Sequence, residues 1–166
     1  MVELIVMDTD IVSAFAKIGR LNQLKKLFSH HQLVITPMIY EELAVSLEYG
    51  YSFPKDIFGQ LNIVSPTDEE EHEYHRLLTS KRALGKGELE AICICTKRSG
   101  FFSSMDSAAL KYAETNGVVT LTLHSILRSF LVSGLLSRTS VKSLIRDIEE
   151  KDHMEIADVD LIFDDV

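Results

Sequence analysis

The sequence predicts an α/β fold in which a central parallel sheet has helices on both faces. Short, continuous apolar runs alternate along the chain with longer segments of helical periodicity, and this alternation is typical of a parallel sheet that is covered on both sides. The chain has 166 residues, of which 46% are hydrophobic and 25% are charged. This length and composition favour one globular domain with a single core.

The first half of the chain alternates predicted strands and helices. The apolar run at residues 4–7 is too short for a helix and therefore predicts a buried strand. Thr36 and Pro37 suit the cap and the first position of a helix that continues to about Tyr49. The other predicted elements are helices at 11–18 and 21–28, strands at 33–35 and 61–64, and a loop at 50–54.

The second half begins with a helix that Thr67 and Glu70 introduce with the spacing of a capping box. Asn116 and Gly117 mark a turn before the last strand. The predicted elements are helices at 88–98, 106–115, 125–132 and 139–151 and strands at 101–104 and 118–121.

Charge and cysteine content restrict the function classes. The net charge is −8, but residues 149–166 contain eight acids and only one base, which leaves −1 for residues 1–148. Charge therefore does not exclude a polyanionic substrate. Cys93 and Cys95 are expected to be core residues of a protein in a reducing compartment. The sequence has neither an apolar run of membrane-spanning length nor a signal-peptide pattern, so we expect a cytoplasmic protein.

Four carboxylates stand where apolar strands or helices begin or end. Asp8 and Asp106 follow predicted strands, and ligands of parallel sheets gather at the carboxyl ends of strands. Glu42 and Glu88 lie on predicted helices. Converging acids repel one another unless a cation neutralises them, and carboxylate oxygens suit Mg²⁺ or Mn²⁺ better than zinc. The pattern predicts a metal site for phosphodiester hydrolysis.

The helical faces of Glu42 and Glu88 support this interpretation. Each acid shares its face with apolar residues, so each is expected at the rim of the core rather than in solvent. The face of Glu42 contains Ile39, Val45 and Tyr49, and that of Glu88 contains Ala91, Ile92 and Cys95. A simpler explanation exists for two acids, because Asp10 and Asp106 could each be the N-cap of the following helix.

Together these motifs resemble the PIN-domain nucleases, a family that includes many prokaryotic toxin ribonucleases. The resemblance extends to about Leu123 and includes the strand that ends in Asp8-Thr9, the pair Glu42-Leu43, the helix start GELEAI and the acid at Asp106. The segment RALGKGE at 82–88 resembles a VapC-like branch in which the third acid is Glu88. The wider family usually has Asp at this position.

The resemblance implies a PIN-like three-layer sandwich over residues 1–152, followed by an acidic tail at 153–166. It implies that Asp8 and Asp106 bind one Mg²⁺ or Mn²⁺ ion, and that Glu42 and Glu88 bind through water or orient the nucleophile, with Glu88 counted among the metal-binding residues. The implied activity is endoribonucleolytic cleavage of single-stranded RNA by the toxin of a toxin–antitoxin pair. An antitoxin partner and a homodimer are further expectations.

Three basic residues that precede Glu88 in the sequence are predicted to bind the RNA phosphates on either side of the scissile one. They are Lys81, Arg82 and Lys86. The alternative is that these bases only keep a loop solvated.

The sequence also permits two different functions and two roles for the tail. Asp8 and Asp10 could be the nucleophile and acid of a haloacid-dehalogenase-like phosphatase, although Val12 stands where that family expects Thr or Ser. The chain could also be a PIN-fold module that binds RNA or a partner without cleavage. Finally, the tail could pack on the body with its acids in a basic groove, in competition with RNA, or it could be a frayed terminus.

Overall fold

A five-stranded parallel sheet forms the centre of the computed structural model, which describes residues 2–80 and 83–166. Its strand order is β3-β2-β1-β4-β5, and every neighbouring pair is parallel. The predicted α/β fold with a parallel sheet is therefore confirmed. The strands are β1 (Glu3–Met7), β2 (His31–Ile35), β3 (Asn62–Ile63), β4 (Phe101–Ser103) and β5 (Val119–Leu121).

Helices connect the strands and cover the sheet on both sides. Ile5, Val6 and Met7 are three successive residues of β1 with at most 1% of their surface exposed. Successive side chains of a strand point to opposite faces, so both faces must be covered. The helices are α1 (Thr9–Lys17), α2 (Leu21–Leu27), α3 (Pro37–Glu48), α4 (Phe53–Gln60), α5 (Asp68–Ser80), α6 (Lys86–Arg98), α7 (Ser107–Thr115), α8 (Leu123–Val132), α9 (Arg138–Asp152) and α10 (Asp160–Phe163).

The strand order reverses at β1, and this reversal positions the site. β2 and β3 extend the sheet on one side of β1, whereas β4 and β5 extend it on the other. Met7 pairs with Ser103, and the amide of Asp8 donates to the carbonyl of Ser103 at 2.9 Å. The segments that follow β1 and β4 therefore meet at the crevice where parallel α/β sheets bind ligands.

Several helix starts follow from the predicted caps. Thr36 accepts a hydrogen bond from the Ile39 amide at the start of α3, next to Pro37. Thr67 and Glu70 exchange hydrogen bonds of 2.7 and 3.3 Å as a reciprocal capping box. Both predicted caps are confirmed. A helix cap depends only on residues within about one turn, so it can be predicted from the local sequence.

Several predicted boundaries are wrong, and two of them concern helices that line the site described below. The first helix begins at Thr9 and is capped by Asp8, whereas we expected a start at Ile11 with Asp10 as the cap. The residues from Phe53 onward form α4 instead of a loop. Pro54 lies in the first turn of that helix, where its missing N–H costs no intrahelical hydrogen bond.

The predicted apolar face of α3 is also wrong in part. Val45 and Tyr49 are 48% and 77% exposed, and the core side of this helix is formed by Ile39 and Leu43. The face predicted for α6 is confirmed, since Ala91, Ile92 and Cys95 are buried. Both cysteines are buried free thiols, as expected.

The C-terminal segment packs against the body of the domain. Ile156, Ile162 and Phe163 are buried, which excludes the frayed terminus. The guanidinium of Arg128 in α8 donates to backbone carbonyls of this segment, including that of Asp164 at 2.6 Å. None of the helices in residues 2–80 and 83–166 has the length and apolar character that a bilayer crossing requires.

Candidate active site

A cleft of about 540 Å³ opens at the carboxyl end of β1. We name it the acid cleft, because five of its lining side chains are carboxylates and Lys17 is the only lysine or arginine among the lining residues that the structure describes. The lining residues are Asp8, Thr9, Asp10, Ser13, Lys17, Glu42, Ser46, Phe53, Gly85, Glu88, Met105, Asp152 and Met154.

Asp8 and Asp10 lie next to each other, on either side of one buried hydroxyl group. The Ser104 hydroxyl is 2.7 Å from Oδ2 of Asp8 and 3.4 Å from Oδ2 of Asp10. Since a hydroxyl has one proton to donate, the shorter contact to Asp8 is the stronger hydrogen bond. Ser104 was not predicted as a site residue, because its only signal in the sequence is its place between a strand and Asp106.

Asp10 connects the first turn of α1 to the loop before α7. Its Oδ1 accepts a hydrogen bond from its neighbour Ile11 at 2.6 Å, and both of its carboxylate oxygens accept from the Met105 amide at 3.0 and 3.1 Å. Burial is the main cause that raises the pKa of Asp10, and Asp106 adds to it by repulsion. Asp10 therefore holds the loop that carries Asp106.

Glu42 reaches across the cleft from α3 and binds two other helices. Oε2 accepts from the hydroxyl of Thr9, and Oε1 accepts from the amide of Gly87 at 3.1 Å. The amide belongs to the first turn of α6, where the helix dipole favours an anion. A Cβ atom on Gly87 would lie 2.7 Å from Oε1 of Glu42, so any larger residue would displace this carboxylate from its present position.

Glu88 and Asp106 each use one carboxylate oxygen to cap a helix. Oε2 of Glu88 accepts from the amide of Gly85 at 2.8 Å, and Oδ1 of Asp106 accepts from the amide of Ala109 at 2.9 Å. The capping explanation of Asp106 is thus correct, and its side chain is exposed beside the acid cleft rather than part of its lining. Burial raises the pKa of Glu88, and repulsion from Asp106, Asp10 and Glu42 raises it further.

We call Asp8, Asp10, Glu42, Glu88 and Asp106 the acid cluster. Asp8 is only 4% exposed, and its burial, together with repulsion from Asp10 and Glu88, raises its pKa from the ordinary 3.8 to about 8. In the described part of the chain, no ion pair connects a member of the cluster to a lysine, arginine or histidine. Among the described residues, no cationic side chain therefore compensates the negative charge of the cluster through an ion pair.

The cluster has suitable metal-binding atoms, but they do not form a closed site. Carboxylate oxygens are ligands for Mg²⁺ and Mn²⁺, and a cation would relieve the repulsion around Asp8. However, no three acids, histidines or cysteines of residues 2–80 and 83–166 lie close enough to enclose an ion. In addition, one oxygen of Glu88 and one of Asp106 are already engaged as acceptors in the helix caps.

The predicted phosphate-binding residues are not part of the described cleft lining. Lys81 and Arg82 lie outside the described residues, and Lys86 is an exposed residue at the start of α6 that does not line the cleft. Lys17, at the end of α1, lines it instead. Its position in the sequence gave no signal, because its neighbours in the cleft come from distant segments.

The family model DUF3368, described as a PIN domain, matches residues 4–158. This chain belongs to the PIN-domain family. PIN domains are generally nucleases and generally use divalent metal ions. No curated protein matches the sequence.

Similar solved structures include VapBC2 from Rickettsia felis bound to a DNA fragment from its promoter, at 15% identity and a TM-score of 0.54, covering 72% of this chain and 98% of that chain. VapBC-1 from nontypeable Haemophilus influenzae has 14% identity and a TM-score of 0.54, covering 72% of this chain and 97% of that chain. These likenesses concern the fold of the PIN domain.

Proposed function

We propose that this PIN domain is a metal-dependent endoribonuclease that hydrolyses single-stranded RNA. The observation that supports the proposal most strongly is the acid cluster at the strand-order reversal. Its central member, Asp8, is buried without a cationic side chain as partner in the described chain. An unpaired buried carboxylate costs stability. Such a cost is expected at a site that is completed by a ligand cation.

The residues that would hold a Mg²⁺ or Mn²⁺ ion are Asp8, Glu88 and Asp106. When bound, the ion supplies an activated water and neutralises charge on the scissile phosphate. Glu88 and Asp106 can contribute the carboxylate oxygen that does not cap a helix. Glu42 is tied to Thr9 and Gly87, so its role is to position the elements around the cleft or to orient the attacking water.

The protein's own part in the reaction is to preorganise these groups. Ser104 fixes the carboxylate of Asp8 through its 2.7 Å hydrogen bond, and Asp10 fixes the Met105 amide in the loop before Asp106. Fixed carboxylates do not have to reorganise when substrate arrives, which lowers the barrier. Burial keeps bulk water away from Asp8 and strengthens its electrostatic interactions.

The phosphatase alternative is disfavoured by the contacts of Asp10. A phosphatase of that kind needs this carboxyl to exchange a proton with substrate, whereas both of its oxygens face the Met105 amide. A PIN-fold module that binds RNA or a partner without cleavage is the second candidate. A binding surface along α3 and the residues that follow it is favoured by four exposed large side chains, Tyr40, Val45, Tyr49 and Tyr51.

The assignment as the toxin of a toxin–antitoxin pair is a finer part of the proposal. It is supported by the VapC-like motif at 82–88 and by the fold shared with VapBC2 and VapBC-1. An antitoxin partner, a homodimer and a cytoplasmic location stay predictions.

Cleavage of single-stranded RNA should be measured at increasing Mg²⁺ and Mn²⁺ concentrations, beside the Asp8→Asn variant. We expect activity that depends on the metal and is lost in the variant. Full activity in excess EDTA would contradict the metal mechanism. RNA binding without cleavage at any metal concentration would favour the non-catalytic candidate.

A further inference from the structure

One wall of the acid cleft is formed by four side chains that the proposed reaction does not use. Lys17 and Phe53 come from the end of α1 and the start of α4, whereas Asp152 and Met154 come from the end of α9 and the residues that follow it. This wall faces the same cavity as Asp8. It is therefore placed to contact a substrate that is bound at the acid cluster.

Charge makes Lys17 the critical residue of this wall. A polyanion that enters a cleft with five carboxylates is repelled, and Lys17 is the one lysine or arginine among the described lining residues. Its side chain is 31% exposed, and its Nζ atom lies 5.1 Å from the centroid of the Phe53 ring. A cation next to an aromatic ring can contact a nucleotide at both its phosphate and its base.

Asp152 forms an ion pair with this cation. Nζ of Lys17 donates to Oδ1 of Asp152 at 2.7 Å, and the Asp152 side chain is only 14% exposed. The two residues are 135 positions apart in the sequence, and the contact joins α1 to α9. A substrate phosphate at Lys17 would have to compete with this carboxylate.

We propose that Lys17 and Phe53 form a nucleotide subsite of the acid cleft, and that Asp152 limits RNA affinity by competing with an RNA phosphate for Lys17. Phe53 supplies a ring on which the base beside the scissile phosphate stacks. The inference rests on the proposed ribonuclease function, because it names the contacts of the same substrate. It adds residues from α1, α4 and α9 to a site otherwise built from carboxylates.

The test compares the directions in which two single substitutions change the affinity for RNA. Equilibrium binding of a fluorescent single-stranded RNA is measured by anisotropy at several salt concentrations, with KM and kcat measured in parallel. We expect Lys17→Gln to weaken binding about fivefold and to reduce the magnitude of the salt slope by about 0.7, the value for one phosphate contact on a single strand. Asp152→Asn is expected to tighten binding about threefold, because it frees the ammonium group.

A purely structural ion pair predicts a different result. In that case both substitutions disrupt the same contact and change affinity in the same direction, which would overturn the proposal. In the double variant, Asp152→Asn should have no further effect, since its target is absent. Lys25→Gln is the matched control, because Lys25 lies with His31 beside another cavity at the amino end of β2.

Phe53→Leu separates base stacking from charge. This change keeps an apolar side chain at the position but removes the ring, and we expect roughly tenfold weaker binding with an unchanged salt slope. Phe58→Leu is the control on the same helix, since Phe58 packs on Tyr40 and does not line the cleft. Equal effects of the two leucine variants would overturn the stacking contact.

Failure of the subsite is distinguishable from failure of the proposed function. If the wild-type protein cleaves RNA and the Lys17 and Phe53 variants have an unchanged KM, only the subsite is overturned. A wild-type protein that binds RNA without cleavage would contradict the ribonuclease but would still test Lys17 through affinity. A wild-type protein that neither binds nor cleaves RNA would overturn both.

Discussion

Asp8 at the end of β1 and Glu70 in α5 are both almost completely buried, at 4% and 2% exposed, but their surroundings differ in charge. Arg98 forms two hydrogen bonds of 2.7 Å with the carboxylate of Glu70, and the Thr67 amide donates a third. Burial alone would raise the pKa of Glu70, yet these bonds hold it below its ordinary value. Burial raises the pKa of Asp8, and repulsion from Asp10 and Glu88 raises it further.

This comparison separates a structural acid, Glu70, from Asp8, which we propose to be functional. The fold can neutralise a buried carboxylate with a guanidinium, as it does between α5 and α6. At the end of β1 it places further carboxylates instead. The fold avoids the free-energy cost of an unpaired buried carboxylate at Glu70 but accepts it at Asp8. This difference supports the proposal that a ligand binds at Asp8.

The largest expected difference between the two acids is in catalysis. We expect Asp8→Asn to reduce metal-dependent RNA cleavage at least a hundredfold, because it removes a charge from the proposed ligand set. Glu70→Gln should leave the rate within a few-fold. Initial rates on single-stranded RNA at saturating Mn²⁺ check both variants. An equal loss in the Glu70 variant would remove the distinction.

In metal-free protein at about pH 7, the same two substitutions should change stability in opposite directions. Asp8→Asn removes a carboxyl group that must take up a proton on folding at this pH, because burial and repulsion raise its pKa to about 8, and it should raise the free energy of unfolding by roughly 1–3 kcal/mol. Glu70→Gln breaks the pair with Arg98 and should lower it by about 2 kcal/mol. Urea denaturation in EDTA measures both effects. A destabilised Asp8 variant would mean that Asp8 supports the fold without metal.

The pH dependence of stability should differ between the two acids. The folded-state pKa of Asp8 is raised, so its stabilising contribution is present below the ordinary 3.8 and is lost as pH rises through about 8. The pKa of Glu70 is lowered, so its contribution is present above the ordinary 4.5 and is lost as pH falls through the lowered value.

Thermal melts at about pH 5 and pH 8, with EDTA or Mn²⁺, test this difference. Mn²⁺ should raise the Tm more at pH 8, where fewer protons compete with the metal for Asp8. Asp8→Asn should remove most of that increase. The same Mn²⁺ shift at both pH values in the wild-type protein would show that Asp8 does not couple protonation to metal binding.

The smallest expected effect concerns a glycine at the edge of the acid cluster. Gly87→Ala should reduce cleavage, because the new methyl group displaces the Glu42 carboxylate from its contacts with Thr9 and Gly87. Its effect on stability should stay within about 1 kcal/mol, since the displaced atoms are the end of a flexible side chain. Gly59→Ala in α4 is the matched control, since no atom lies within 4 Å of the point that its new Cβ atom would occupy. It should be neutral or stabilising by about 0.5–1 kcal/mol. Denaturation and cleavage of both variants are compared, and equal effects would exclude the steric cause.

The sequence by itself determined the parallel sheet, most of the helices and the acids at the carboxyl ends of β1 and β4. Strand patterns, caps and capping boxes depend on residues within about one turn, so Thr36 and the pair Thr67–Glu70 were predictable. The start of α4 was missed because Pro54, which is typical of loops, also suits the first turn of a helix.

Only the tertiary structure decided which charges meet. Glu42 binds Thr9 and Gly87, which are 33 and 45 positions away, and the partner of Lys17 is Asp152, at 135 positions. Such contacts depend on how whole helices pack around the sheet, and local periodicity does not contain that information. The position of Asp8 at the end of a strand is a local feature, so the sequence could assign this acid to the site. The absence of a compensating cation around Asp8 in the described chain depends on how distant segments pack, so the sequence could not predict it.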